Sequence, residues 1–137
     1  MKPLGHLGPG ARVPAWVQTL DRACFGTPWG PLDDDEHLWL ADGQGFARWR
    51  VIPQIHEGEL LRLGVAEGCR RTGLGRALLR HSTASLARMG VHVLFLEVRV
   101  SNRPARALYE SEGWVFQGLR EAYYRDGEDA AIYRLGE

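Results

Sequence analysis

Residues 63–79 have the sequence LGVAEGCRRTGLGRALL, and this stretch decides the fold. An apolar strand ends near Ala66, a short loop with two consecutive arginines follows, and Gly73 and Gly75 lead into a helix. Residues 91–100, VHVLFLEVRV, are apolar on both faces, as in a central buried strand. The order strand, helix, strand predicts one right-handed βαβ unit, whose two strands run parallel.

The helix of this unit has a distinct apolar side. Its pattern continues to about Met89, and Gly90 ends it. At about 100° per residue, one face carries six residues that we expect to meet the core: Leu74, Leu78, Ser82, Ser85, Leu86 and Met89. The opposite face carries the polar residues Arg76, Arg80, Thr83 and Arg88.

Outside this helix, most of the predicted elements are strands. They follow in this order: a helix from Pro14 to about Cys24, a hairpin of strands 37–41 and 46–52, the first strand of the βαβ unit at 59–66, its second strand at 91–100, a helix capped by Asn102 or Ser101 that runs to about Glu112, and strands at 114–119 and 130–135. Strands outnumber helices, and hairpins accompany the single crossover. We therefore expect an α+β fold with a mixed sheet.

Two segments near the start are less regular. Residues 1–12 are rich in Gly and Pro, which predicts a poorly ordered lead-in or a poor edge strand. The acidic run Asp33–Glu36 is typical of a solvated helix start. With 137 residues, no repeat and no long linker, residues 1–137 are expected to form one domain.

Composition excludes several function classes. Lys plus Arg total 17 and Asp plus Glu total 17, and this balance argues against a binder of nucleic acid or of anionic membranes. Sixteen of the cations are arginines, whose planar guanidinium suits carboxylate or phosphate. Cys24 and Cys69 form no CxxC pair, so we expect no metal site. The chain has no run long enough for a membrane helix and no signal-peptide core, so the cytoplasm is the simplest location.

The loop that precedes the central helix predicts an anion site. A helix N-terminus presents unpaired N–H groups and partial positive charge. Gly73 and Gly75 let an anion approach those groups closely, and Arg70, Arg71 and Arg76 add charge at the same point. The pattern favours a pyrophosphate as the ligand.

Three other interpretations of this loop fit its sequence less well than a pyrophosphate site. A Rossmann dinucleotide site is disfavoured, because Leu78 stands where GxGxxG has its third glycine and Glu97 lies inside its strand. A P-loop would need GK[ST] after the glycines, which this sequence lacks. The third interpretation is tight packing at the glycines beside a solvated arginine patch. The crowding of both features at one helix start argues against it.

The segment 70–75, RRTGLG, matches the acetyl-CoA-binding motif R/Q-x-x-G-x-G/A, and through it the chain resembles the GNAT acetyltransferases. LEVRVSNRPARALYESEGW at 96–114 and YYRDGEDAAIYRL at 123–135 are similar to the RimI-type branch, which acetylates the N-terminal α-amine of a ribosomal protein. The likeness is good over 59–135, weak over 14–31 and almost absent over 1–12. It implies the α+β GNAT fold, with a mixed, mostly antiparallel central sheet, one βαβ crossover and helices on both faces.

The resemblance implies acetyl-CoA as a co-substrate and no metal. Main-chain groups of one strand segment would pair with the pantetheine arm as an added strand would, namely those of Leu63, Gly64 and Val65. The loop would bind the pyrophosphate, largely through N–H groups, with Arg70, Arg71, Thr72, Gly73, Leu74, Gly75 and Arg76. Asn102 matches the asparagine that contacts coenzyme A.

The resemblance also implies two catalytic residues. Glu97 matches the general base, and Tyr109 matches the tyrosine that protonates the leaving thiolate. A carboxylate in an apolar strand is costly without a partner or a task, which agrees with a base at position 97. The alternative for Glu97 is a structural ion pair with Arg99 or Arg62, and the alternative for Tyr109 is plain packing at helical spacing.

The acceptor side of the site is implied less directly. Tyr123, Tyr124 and Glu128, together with Asp129, match the loop near the family's peptide-binding side, where acidic groups could receive a cationic N-terminus. The alternative is a turn whose tyrosines cover the edge of the core. Two departures fall on this side: the segment between Trp29 and Leu60 is short, which predicts a reduced second helix, and Arg62 stands where asparagine is common.

These features together predict an N-acetyltransferase whose acceptor is a protein or peptide N-terminus, as a ribosomal protein is for the branch. An α-amine has a pKa near 7.7–8.0, so a modest carboxylate base would suffice. Two alternatives stay open: a GNAT that acetylates a small-molecule amine or a lysine, and a CoA-binding regulatory module without catalysis. No nucleic acid and no membrane is expected as a partner.

Overall fold

The structure is a computed structural model that describes residues 4–136. Its strands are β1 (Gly5–Leu7), β2 (Glu36–Ala41), β3 (Gly45–Ile52), β4 (Glu57–Val65), β5 (Val93–Arg99), β6 (Val115–Arg120) and β7 (Ala130–Leu135). Its α-helices are α1 (Ala15–Phe25), α2 (Leu74–Arg88) and α3 (Arg103–Ser111), and short 3₁₀ turns span Pro53–Ile55 and Glu67–Cys69.

The seven strands form one mixed sheet in the order β1-β2-β3-β4-β5-β7-β6. Within residues 4–136, the β4–β5 pair is the only parallel one, and the other neighbouring strands are antiparallel. α2 connects the parallel pair, as the glycine-rich loop and the helical periodicity predict. The prediction of a mostly antiparallel sheet with one βαβ crossover is confirmed.

Helices lie on both faces of the sheet. Leu38 and Phe46 belong to a core cluster with Val17 of α1. Trp39 and Trp49 belong to a second cluster, to which α2 and α3 contribute. Because adjacent residues of a strand point to opposite faces, α1 covers one face, and α2 and α3 cover the other.

The parallel pair separates partway along its length. β4 and β5 pair from Glu57 opposite Val93 to Leu60 opposite Leu96, and both strands continue beyond that point without pairing to each other. The register between β3 and β4 shifts at the same place, which leaves Leu61 as an extra residue in β4. A β-bulge of this kind bends its strand. The result is a wedge between the two strands in the middle of the sheet.

In the N-terminal part of the described chain, the structure decides between the two expectations for residues 1–12 and corrects the one for Asp33–Glu36. Gly5–Leu7 form β1, a three-residue edge strand antiparallel to β2, within the segment expected to be a loose lead-in or a poor edge strand. Residues 1–3 of that segment lie outside the described residues.

The solvated helix start predicted for Asp33–Glu36 is wrong: a turn leads into β2, and Glu36 is completely buried.

Glu36 is buried because Arg48 of the neighbouring strand neutralises it. Arg48 Nη2 donates to Glu36 Oε1 over 2.6 Å, and the same guanidinium donates to the carbonyl oxygens of Gly30 and Pro31 at 2.9 and 2.8 Å. The segment between α1 and β2 therefore follows a fixed path. Within the described residues it contains no helix, in line with the reduced second helix that the short segment predicts.

The central helix agrees with its predicted face at four of the six positions. Leu74, Leu78, Ser82 and Leu86 are buried as expected, and Ser85 is half-buried. Leu79 is buried as well, whereas Met89 lies beyond the last turn and is 42% exposed. Among residues 4–136, no helix combines the length and the apolar character needed to cross a membrane.

Candidate active site

The wedge between β4 and β5 contains a cavity of about 520 Å³. Its walls come from both strands, from the end of α1 and the segment after it, from α3, and from the turn between β6 and β7. Five residues proposed for the site from the sequence line it together: Glu97, Tyr109, Asn102, Tyr123 and Tyr124. Leu63 of the predicted pantetheine segment lines it too.

Glu97 and Tyr109 approach the cavity from opposite faces of the sheet. Leu96 and Val98 belong to the core cluster beneath α2 and α3, so Glu97 between them points to the opposite face. Tyr109 rises from α3 within that core cluster. A group placed in the wedge can therefore lie between the carboxylate and the phenol.

Glu97 is paired, but with neither of the two arginines suggested by the sequence. Its side chain is 16% exposed, and Nη1 of Arg120 lies 3.2 Å from both of its carboxylate oxygens. Arg99 instead pairs with Asp126 and Glu128, and Arg62 pairs with Asp21.

Glu59 is a second carboxylate at the site, and no sequence motif pointed to it. It lies opposite Phe95 in the parallel pair, so it is a diagonal neighbour of Glu97 on the same face. Burial raises the pKa of Glu59, the Glu97 carboxylate raises it further, and Arg50 and Arg120 lower it. The strand register was the signal that could have revealed this pair.

The Tyr109 hydroxyl is free to donate into the cavity. The side chain is 6% exposed, and its ring packs near the rings of Trp114 and Tyr133, with centroids 6.0 and 6.4 Å away. No described residue accepts a hydrogen bond from the hydroxyl. Burial holds the pKa of Tyr109 well above its usual range, and Tyr124 adds to this effect. The phenol therefore stays protonated at neutral pH.

The loop before α2 presents a row of unpaired N–H groups. Arg71 and Gly73 both have positive φ angles, of 63° and 85°. Within the described chain, the first main-chain donor at the start of the helix is Ala77, which donates to Gly73. The N–H groups of residues 71–76 have no main-chain acceptor, and such a concave row at a helix N-terminus is a receptor for an anion.

The arginines around this loop are partly engaged with protein groups. Arg70 Nε donates to the Val65 carbonyl over 3.2 Å. Arg76 Nη1 donates to Glu112 over 2.8 Å, a buried carboxylate that also binds Arg80. Arg71 forms no ion pair with a described residue. The main-chain N–H groups and Arg71 are thus the groups most available to an anion.

The two glycines that flank the loop differ in their structural role. A Cβ on Gly64 would lie 2.6 Å from Cε1 of Phe46, so packing alone demands glycine there. A Cβ on Gly75 would make only ordinary contacts, the nearest at 3.6 Å from Val65. Packing therefore does not require glycine at position 75, which agrees with a role for this residue in binding a ligand at the helix N-terminus.

The predicted pantetheine segment has one free side. Leu63, Gly64 and Val65 pair with β3 along one edge, while the other edge faces the wedge, where β5 no longer pairs. Main-chain groups left open in this way can accept an added strand. Asn102 lies across the wedge, where its Oδ1 accepts the Ala105 N–H at 3.3 Å and caps α3.

The predicted acceptor residues divide into two groups. Tyr123 and Tyr124 line the cavity, and each lies under a guanidinium, of Arg120 at 4.5 Å and of Arg99 at 4.1 Å. Glu128 is not among the lining residues. It accepts hydrogen bonds from the Arg99 side chain and the Ser101 N–H, both at 2.9 Å. The pKa of Glu128 lies below its usual range. The largest cause is a hydrogen bond from the Ser101 hydroxyl, and the hydrogen bonds from Arg99 and the Ser101 N–H lower it further.

The remaining wall was also missed from the sequence. Asp21 of α1 is 3% exposed, and it accepts from the Trp29 N–H at 2.8 Å and from Arg62 at 2.6 Å. Arg62 in turn lies over the rings of Phe25 and Trp29. An aspartate one turn after Val17 on the apolar side of α1 was the available signal. Among the described residues, no group of three or more His, Cys, Asp or Glu side chains is placed to hold a metal.

Comparisons with known proteins agree with this geometry. Residues 13–114 match the model of the acetyltransferase (GNAT) family. The chain is 45% identical over 93 residues to the [ribosomal protein bS18]-alanine N-acetyltransferase of Escherichia coli K12, covering 66% of this chain and 62% of that protein. It is 38% identical over 90 residues to the N-alpha-acetyltransferase of Sulfurisphaera tokodaii, covering 64% and 54%. The chain thus spans less than two thirds of the length of these curated relatives.

A solved structure resembles the whole described fold. The crystal structure of the ribosomal-protein-S18-alanine N-acetyltransferase from Escherichia coli superimposes with a TM-score of 0.77. The match covers 98% of this chain and 94% of the other, at 30% identity.

Proposed function

Since the chain belongs to the acetyltransferase (GNAT) family, we propose that it transfers an acetyl group from acetyl-CoA to the N-terminal α-amine of a protein. The observation that carries this proposal is the wedge, whose cavity lies between a carboxylate on one face and a protonated phenol on the other. The names of the relatives from Escherichia coli and Sulfurisphaera tokodaii support an α-amine acceptor.

The chain offers acetyl-CoA two kinds of main-chain contact. The open edge of β4 at Leu63–Val65 would hold the pantetheine arm, and the N–H groups of residues 71–76 would hold the pyrophosphate. Arg71 supplies charge beside these N–H groups, and Asn102 lies on the other wall of the wedge. The site needs no metal for this chemistry.

The reaction needs one proton acceptor and one proton donor. Acetyl-CoA supplies a thioester carbonyl that an uncharged amine can attack. Glu97 accepts the proton that the attacking amine loses, directly or through water. Tyr109 donates a proton to the departing thiolate, for which its raised pKa keeps it protonated. N–H groups of β4 near Val65 that face the wedge can stabilise the oxyanion.

The acceptor would enter beside the exposed rings of the cavity mouth. Trp29 and Tyr123 are 38% and 46% exposed, and both line the cavity. They provide apolar surface for the first side chains of a peptide. A ribosomal protein as the acceptor is part of this proposal and rests on the relative's name, and the cytoplasmic location stays a prediction from the sequence.

A matched pair of peptides tests the proposal. Both have the same sequence with one internal lysine, and one has a free N-terminus while the other is blocked. We expect acetyl transfer from acetyl-CoA to the free N-terminus alone, located by mass spectrometry. Equal reaction of the blocked peptide would instead favour a lysine or small-molecule acetyltransferase. Absence of transfer to any amine, with acetyl-CoA still bound, would favour the regulatory module.

A further inference from the structure

Arg120 occupies the place on Glu97 that a substrate amine needs. A single nitrogen, Nη1, lies 3.2 Å from both carboxylate oxygens. This is the outer limit of N–H···O hydrogen bonding, and it puts one cationic nitrogen between two oxygens as an ammonium group would sit. An amine that passes its proton to Glu97 must approach the same oxygens. The guanidinium and the acceptor amine therefore compete for one position.

The contact between Arg120 and Glu97 is weakly held. Arg120 ends β6, an edge strand, and its side chain is 54% exposed. Arg120 also lies over the ring of Tyr123, 4.5 Å from the centroid, a ring that is itself 46% exposed, and its charge lowers the pKa of the neighbouring Glu59 without forming an ion pair with it. Ion pairs with this exposure contribute little free energy, so an incoming ligand can displace the guanidinium.

The other arginines near the cavity are anchored away from Glu97. Arg62 is 17% exposed and donates to Asp21 and to the Thr27 carbonyl at 2.6 and 2.8 Å. Arg99 is held by Asp126 and Glu128 at 2.8 and 2.9 Å. Arg120 has no carboxylate partner in the described chain besides Glu97. Arg120 is therefore the arginine that an incoming ligand can displace from Glu97.

We propose that Arg120 is a displaceable gate on Glu97, a role that rests on Glu97 being the base of the proposed function. Arg120 holds Glu97 until an acceptor amine displaces it. This displacement costs the same free energy for every acceptor, so the gate raises the KM of all of them. A peptide that also contacts the cavity mouth has further binding energy to offset the cost, whereas an amine that binds through its nitrogen alone has little.

The main test compares Arg120→Gln with Arg125→Gln. Arg125 is an exposed arginine of the turn that follows β6 and makes no ion pair with a described residue, so its variant controls for the loss of one positive charge. Arg120→Gln should lower the KM for a short peptide beginning with alanine about two- to fivefold, as expected for loss of an exposed ion pair. The KM for acetyl-CoA should stay constant, and Arg125→Gln should leave both values unchanged.

Peptide affinity separates the gate from the proposed function. Calorimetry on the CoA-loaded protein should show the same two- to fivefold gain in peptide affinity for Arg120→Gln, whether or not the peptide is acetylated. Tighter binding without any turnover in the wild type would refute the proposed function and leave Arg120 as a competitor of the peptide amine for Glu97, with no role in a reaction. Normal turnover with equal peptide affinity, or no measurable binding, in both proteins would refute the gate alone.

Replacing the missing group gives a second, independent measurement. In Arg120→Ala, added methylguanidinium should inhibit competitively against the peptide, because the small cation can occupy the vacated position on Glu97. The wild type and Arg125→Ala should be insensitive at the same concentration. A fall in kcat for Arg120→Gln at constant peptide KM would overturn the gate and assign Arg120 to the support of Glu97 during the reaction.

Discussion

Nη2 of Arg48 lies 2.6 Å from Oε1 of Glu36, with the two side chains 2% and 0% exposed. This buried pair joins β2 to β3 and, through the carbonyl oxygens of Gly30 and Pro31, fixes the segment that leads away from the acceptor wall. Burying two charges is costly, and the attraction between them compensates only while both are present.

Glu36→Gln should therefore destabilise the protein strongly. It leaves the Arg48 charge buried without its counter-ion, which costs about 3–5 kcal/mol. Urea unfolding at neutral pH measures the change in the free energy of unfolding. Asp35→Asn is the matched control, since Asp35 is 44% exposed and lies 3.4 Å from Arg50, and it should stay within about 0.5 kcal/mol of the wild type. Equal effects of the two variants would contradict this account.

Glu97→Gln should separate catalysis from cofactor binding. The amide cannot accept the amine proton, so kcat should fall by about 10²–10⁴-fold. The acetyl-CoA affinity should hardly change, because the proposed contacts with the cofactor lie on β4 and at the start of α2. Steady-state kinetics and calorimetry provide the two values, with the exposed Glu121→Gln as a control. An unchanged kcat would remove Glu97 from the mechanism.

Tyr109→Phe should impair turnover without loosening the fold. The ring keeps its packing, and the hydroxyl has no hydrogen-bond partner to lose among the described residues. We expect kcat to fall by about 10²-fold, the lower range for loss of a general acid, with the Tm nearly constant. Because the raised pKa keeps this phenol protonated, the wild-type kcat should show no loss from Tyr109 ionisation up to its ordinary pKa of 10.0. A lower Tm at full kcat would instead indicate packing alone.

Gly64→Ala should lower the stability of the protein, whereas Gly75→Ala should weaken its use of acetyl-CoA. The new Cβ at position 64 meets Phe46 at 2.6 Å, and overpacking of this kind costs about 1–3 kcal/mol of stability. At position 75 the nearest contact is 3.6 Å, so folding should be retained while the KM for acetyl-CoA rises, because the methyl group fills the approach to the helix N-terminus. Thermal unfolding and kinetics on both variants check this contrast. An unchanged KM in Gly75→Ala would argue against a pyrophosphate there.

β1 should loosen as the pH falls through the histidine range. His6 Nε2 lies 2.9 Å from His37 Nδ1. Burial lowers the pKa of both imidazoles, with a smaller contribution from His81 at His6 and from His6 at His37. The two imidazoles bind protons more readily when β1 is unfolded than when it is paired. The free energy that they contribute to the pairing of β1 is therefore present above the ordinary pKa of 6.5 and is lost as the pH falls below it.

Hydrogen exchange measures this loosening directly. After correction for intrinsic rates, the β1 amides should exchange faster at pH 5 than at pH 7.5, and His37→Asn should weaken the dependence. His92→Asn is the control, because His92 lies just before β5, away from this pair. Equal protection of β1 at the two pH values would show that the pair does not hold the edge strand.

The sequence was most informative where local chemistry determines local structure. The βαβ unit could be predicted because Gly73 and Gly90 bracket a helix of regular apolar period. A cap at Asn102 or Ser101 could be predicted because a capping side chain acts within one turn, and Asn102 is the residue that forms it. The buried state of Glu36 could not be predicted in this way. It lies in an acidic run that resembles solvated surface, and its burial depends on Arg48 of the next strand.

The same distinction applies to the candidate site. The motifs predicted Glu97 and Tyr109 individually, and the structure places both at one cavity. The sequence favoured Arg99 or Arg62 as the ion-pair partner of Glu97, whereas the partner is Arg120, 23 positions away on β6. The two residues lie on strands on either side of β7, so their contact spans one intervening strand. Strand order is a property of the whole sheet, and no local pattern encodes it.

The separation of β4 from β5 also divides the sheet mechanically. On one side lie β1–β4 and on the other β5–β7, each set joined by antiparallel pairs, and only the short parallel stretch from Glu57 to Leu60 connects them directly. A ligand that pairs with β4 and reaches across to Glu97 connects the two parts of the sheet. At a hundredfold excess over its Kd, such a ligand stabilises the folded state by about 2.7 kcal/mol. The protein's resistance to opening and proteolysis would then follow the supply of acetyl-CoA.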